Sequence, residues 1–67
     1  MRPGQYVRHR NTGMVYVILG FVEIKSAHPE LDDAMGVLYM EHSGGPRRFV
    51  RTVTEFSDGR FEIVERP

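Results

Sequence analysis

The stretch MVYVILGF, residues 14–21, is rich in β-branched and aromatic residues, apolar on both faces of any strand it forms, and interrupted at Gly20. It is too short for a typical helix, so it predicts a central β-strand. VEIK, residues 22–25, continues that strand past Gly20, where a missing side chain allows a kink or bulge. On the amino-terminal side, Asn11-Thr12-Gly13 supplies residues tolerant of positive φ, as a short hairpin loop with a bulge requires. QYVRH before this loop reads as a first strand, with Tyr6 and Arg8 on one face and Val7 and His9 on the other.

Further along, SAHPELDDAM, residues 26–35, breaks the β pattern. Pro29 at a first helical position, followed by acids, suits one helical turn after His28, and a mobile acidic loop is equally compatible. MGVLYME then predicts a strand with Val37 and Tyr39 opposite Leu38 and Met40, and HSGGP turns the chain. RRFVRTV, residues 47–53, predicts another strand, only partly buried because it carries three arginines.

Thr52 and Glu55 have capping-box spacing, which predicts a helical turn near Val53 to Ser57. Asp58-Gly59 is a turn signal, and RFEIVE alternates so that Phe61 and Ile63 point to the core while Glu62 faces outward. The expected architecture is therefore mainly all-β, a small SH3-like barrel of about five antiparallel strands with one short helical turn before the last. An open five-stranded meander completed by dimerisation is the alternative.

Sixty-seven residues allow one small domain, residues 1–67, which buries about 60% of its unfolded-chain surface. Small scaffolds commonly add disulfides or metal, but the chain has no cysteine, leaving packing or self-association to stabilise it. No stretch approaches the roughly 18 apolar residues of a membrane span, and MRPGQYV lacks the apolar region of a signal peptide. A cytoplasmic chain without a membrane partner is expected.

The formal net charge of zero conceals an uneven distribution. Residues 1–21 carry three arginines and no acid, residues 22–42 carry five acids against Lys25, and the remainder has five arginines against four acids. Eight of the nine bases are arginine, whose planar fork suits carboxylate and phosphate. A neutral total argues against indiscriminate nucleic-acid binding, for which a clearly basic domain is expected.

His9, His28 and His42 share no metal-ligand spacing, and PELDDAMG lacks the regularly placed oxygen ligands of a calcium loop. Neither Ser26 with His28 nor Ser43 with His42 sits in a nucleophile pattern, and no glycine-rich loop opens a helix. The chain is expected to be non-enzymatic, with no metal and no cofactor. Surface recognition remains.

Arg8, His9 and Arg10 approach the first hairpin, Arg47, Arg48 and Arg51 occupy one predicted strand, and Tyr16 heads the central strand. Together they make a candidate partner-binding face for an acidic protein surface or an extended peptide segment, in a protein-interaction or regulatory adaptor module. A weak single-stranded nucleic-acid binder using Arg47, Arg48 and Arg51 on an arginine-aromatic face is the alternative. The competing interpretation makes Tyr16, Tyr39 and Phe49 core residues and pairs the arginines with Glu23, Glu41, Glu55 and Glu62. A monomer or weak homodimer is expected.

YVRHRNTGMVYVILG, GVLYMEHSGG and FVRTVTEF, in that order, resemble the pieces of domain-of-unknown-function family 1653, a family of short bacterial proteins. Arg8, His9, Gly13, Tyr16, Gly20, Tyr39, Val50, Arg51 and Phe56 stand at matching positions, and the likeness covers about Tyr6 to Phe56. The family's tryptophan is replaced here by Phe49, its Arg-Pro pair by Arg51-Thr52, and its His-Ser-Glu-Thr stretch has no clear counterpart in IKSAHPEL. The resemblance implies a compact, β-rich cytoplasmic domain of bacteria or their phages, and no particular activity.

Overall fold

The computed structural model describes residues 1–67. Strands β1 (Tyr6–His9), β2 (Val15–Ile24), β3 (Ala34–Glu41) and β4 (Phe49–Thr52) precede one helical turn, α1 (Val53–Phe56), and strand β5 (Phe61–Val64). They form a single antiparallel sheet in the order β4-β3-β2-β1-β5. The last strand lies against the first and not against β4, which excludes the simple meander and matches the strand order of an SH3-like barrel.

The length of β2 is explained by a bulge. Ile18 faces Tyr39 and Gly20 faces Leu38, so Leu19 has no opposite residue. One unpaired residue reverses the alternation: Tyr16 and Ile18 point inward before it, and Phe21 does so after it. The uninterrupted apolar run therefore contains a change of phase and still packs on both faces: Ile18 is buried in the core and Val22 and Ile24 crowd Gly36 and Val50 on the other face, while Leu19 and Phe21 are exposed. A Cβ at Gly20 would meet nothing within 4 Å, so the bend comes from the bulge and not from close approach at the glycine.

The core consists of Val7, Ile18, Val37, Tyr39 and Phe56, with Tyr16, Phe49, Val53 and Phe61 packed against it. Phe56 carries α1 into this cluster, its ring stacked on Phe61 at 4.4 Å between centroids. The Thr52 hydroxyl caps the turn by accepting the Glu55 backbone N–H at 3.1 Å. The reciprocal half of the predicted capping box is not made; the Glu55 carboxylate lies instead 3.9 Å from Arg51 and 3.7 Å from Arg60.

The first hairpin closes with the Gly13 N–H donating to the His9 carbonyl at 2.8 Å, Gly13 having φ +75°. The β2–β3 connection contains hydrogen-bonded turns but no helix: the Leu31 and Asp32 N–H groups both donate to the His28 carbonyl, and the Ala34 N–H donates to that of Leu31. Two further expectations need correction. Arg47 and Arg48 precede β4 and do not belong to it, and Ile63 is 60% exposed, at the rim of an apolar cleft of about 140 Å³ lined by Met1, Val7, Phe56, Ser57 and Phe61. Ile63 faces inward by alternation, yet β5 is an edge strand with nothing to cover it. No helix is long and apolar enough to cross a membrane.

Candidate functional site

One end of the barrel gathers the finish of β1 and β3 and the start of β2, β4 and β5. Antiparallel pairing brings inward-facing aromatic side chains from several strands together there. Tyr16 meets Tyr39 edge-on at 5.3 Å, Phe61 at 6.0 Å and Phe49 at 6.1 Å. Such edge-to-face contacts suit the ring quadrupoles. Tyr39 is buried, whereas Tyr16, Phe49 and Phe61 are half-buried and form a mouth.

Two guanidinium groups border this mouth. Arg47 lies over the Phe49 ring at 5.0 Å and Arg51 over the Phe61 ring at 5.8 Å, within the range of cation–π attraction. The Arg51 Nε–H donates to the Tyr39 hydroxyl at 3.0 Å, and this bond holds its proton more tightly than that of an ordinary guanidinium. Since β4 and β5 are not paired in the sheet, Arg51 reaches across a seam that lacks backbone bonds. It is thus a structural residue as well as a candidate contact.

Burial pushes the Tyr16 phenol above its ordinary pKa, and Tyr39 and Glu41 push the same way; Arg51 and Arg47 oppose them. Glu41 is directly across from Tyr16 in the β2–β3 ladder and has no ion-pair partner. The mouth is accordingly amphoteric, with two arginines and one carboxylate around aromatic walls.

The seven residues singled out from sequence do not form one face. Tyr16, Arg47 and Arg51 meet at the mouth, and His9 reaches its edge, with its ring 5.1 Å from that of Phe61. The His9 Nδ1 accepts the N–H groups of Asn11 and Thr12 at 3.2 and 3.4 Å, so this histidine braces the hairpin loop. Arg8 and Arg10 are elsewhere. Val7 points into the core, so its neighbour Arg8 points outward, where it and Arg10 share the carboxylate of Glu62. Arg8 and Glu62 are opposite one another in the β1–β5 ladder, which accounts for the pair. Arg48 donates to the carbonyls of Gly45 and Arg47 at 3.0 Å and turns back on its own loop.

Of the acidic partners expected, Glu55 and Glu62 engage arginines, while Glu23 and Glu41 do not. Arg47 and Arg48 have no carboxylate within 4.0 Å. Phe61 was expected as core, and Phe49 as core in the competing interpretation, yet both wall the mouth. Their alternation places them inward, but no local signal shows that β4 and β5 converge. No group of three or more His, Asp or Glu side chains is placed to hold a metal ion. Comparison of the chain with family models, with curated proteins and with solved structures gives no match.

Proposed function

We propose that this chain is a non-enzymatic interaction module whose arginine-bordered aromatic mouth engages an acidic segment of a partner protein. The observation that carries the reading is Arg47, a guanidinium with no carboxylate partner, held over the half-buried ring of Phe49 at the rim of an aromatic recess. A carboxylate arriving there meets a charge-assisted donor fork, and an adjoining apolar or aromatic side chain meets Tyr16 and Phe61. A chain of this composition, with no nucleophile–base pair at the mouth, supports binding rather than catalysis.

Single-stranded nucleic acid is the weaker reading. Bases need free ring faces on which to stack, and Arg47 and Arg51 occupy faces of Phe49 and Phe61. The test is an amide chemical-shift titration of the labelled chain with a short peptide of alternating Glu and Tyr, and in parallel with mixed-sequence single-stranded DNA. Peptide-induced shifts at Tyr16, Phe49 and Phe61, with affinity falling about tenfold in Arg47→Glu, are expected. An unmoved spectrum with peptide, in a chain that is monomeric under the same conditions, refutes the proposal. Steeply salt-dependent shifts with DNA alone would replace it by the nucleic-acid reading.

A further inference from the structure

We infer that the mouth is occupied by the acidic tip of the β2–β3 hairpin from a second copy of this chain, two copies lying side by side in opposite directions. This rests on the mouth being a docking site for an acidic segment, and it names the segment.

Three observations lead to it. First, the two ends of the long hairpin are charged oppositely. Residues 23–33 hold Glu23, Glu30, Asp32 and Asp33 against Lys25, and only Asp33 is ion-paired, with Lys25. The other end holds Arg47 and Arg48, which lack carboxylate partners, against the single unpaired carboxylate of Glu41. Secondly, the complementary ends cannot meet within one molecule. Tyr16 and Ile24 begin and end almost the whole of β2, roughly 26 Å apart at about 3.3 Å per residue, in a molecule 37 Å along its longest axis.

Thirdly, the acidic half of the hairpin is also apolar at its surface. Phe21, Leu31 and Met35 are 40%, 36% and 49% exposed, and β1 pairs with β2 only at Val15 to Val17, leaving the distal part of that edge uncovered. An acidic tip flanked by apolar side chains is the kind of segment that a recess of rings bordered by guanidinium accepts. An antiparallel pair related by a two-fold axis places each tip at the other's mouth, so the contact is made twice and the assembly closes.

The test is sedimentation velocity on the full chain from micromolar to millimolar concentration, at ionic strengths of about 0.01 M and about 1 M, between which the Debye length falls from about 30 Å to about 3 Å. A monomer–dimer equilibrium at low salt that disappears at high salt is expected. Arg47→Glu and Glu30→Lys should each weaken the dimer by about tenfold or more. An equimolar mixture of the two variants should dimerise again, because both contacts then join opposite charges.

A wild-type chain that stays monomeric throughout, variants that dimerise as the wild type does, or a mixture that shows no rescue overturns the inference. So does a species larger than a dimer. The Glu–Tyr peptide separates the two proposals: a monomeric chain whose Phe49 and Phe61 amides still shift with peptide refutes only the second copy as occupant, whereas a chain that binds neither refutes both.

Discussion

Replacing Arg51 by methionine removes the guanidinium but keeps an apolar stem across the seam between β4 and β5. Three interactions are lost. The hydrogen bond from Nε to the Tyr39 hydroxyl is charge-assisted, and with the arginine side chain 30% exposed it is worth the lower end of the usual range, about 1.5 kcal/mol. The contact with the Phe61 ring, at 5.8 Å, adds about 0.5 kcal/mol. The 3.9 Å pair with half-exposed Glu55 adds close to nothing.

The expected destabilisation is therefore about 2 kcal/mol, a fall in Tm of roughly 10 °C for a domain of this size. Urea unfolding followed by circular dichroism and tyrosine fluorescence measures it, since the chain has three tyrosines and no tryptophan. A double-mutant cycle with Tyr39→Phe isolates the hydrogen bond, with an expected coupling of about 1 kcal/mol. A coupling below about 0.3 kcal/mol would show that the bond between Arg51 and Tyr39 adds nothing to stability, and the structural role assigned to Arg51 would fail.

Thr52→Ala removes the cap of α1 and should cost about 1 kcal/mol, read as a lower urea midpoint with unchanged slope. Gly59→Ala places a side chain at φ +103° and should cost about 1–2 kcal/mol, whereas Gly20→Ala, at an open position with ordinary φ, should cost far less. Tyr16 holds its proton more tightly folded than unfolded, so its contribution to stability is complete below pH 10.0 and is lost as pH rises through the higher folded value. Tyrosinate absorbance against pH checks this, and Arg47→Gln should move the Tyr16 midpoint further up by removing an opposing charge. Glu62→Gln leaves Arg8 and Arg10 facing each other without their shared carboxylate; a loss of about 0.5 kcal/mol that salt diminishes is expected from thermal unfolding.

Much of the fold was legible locally. The turn residues at Asn11-Thr12-Gly13 and Asp58-Gly59, the cap at Thr52 and the alternation of Val37 and Tyr39 each act within a few residues, so their outcome is settled by steric and hydrogen-bonding rules that need no distant partner. The bulge at Leu19 was harder: an apolar run does not itself show a change of phase, which only the ladder with β3 reveals.

The site was legible in composition but not in arrangement. Its arginines and aromatic residues are evident from sequence, and alternation in RFEIVE correctly turns Phe61 inward. Alternation cannot say which inward faces meet, and Arg8 and Arg51, similar in sequence context, end on opposite sides of the sheet. What brings Arg47, Arg51, Tyr16 and Phe61 to one mouth is the return of β5 to β1, which sets the start of β5 beside β4 without pairing the two. That closure depends on contacts between residues far apart in the chain, through the packing of Phe56 and Phe61 on Tyr39. Local pattern thus determined most of the strands and their turns, while pairing and packing between distant segments decided the phase of β2 beyond Leu19 and which inward side chains share a site.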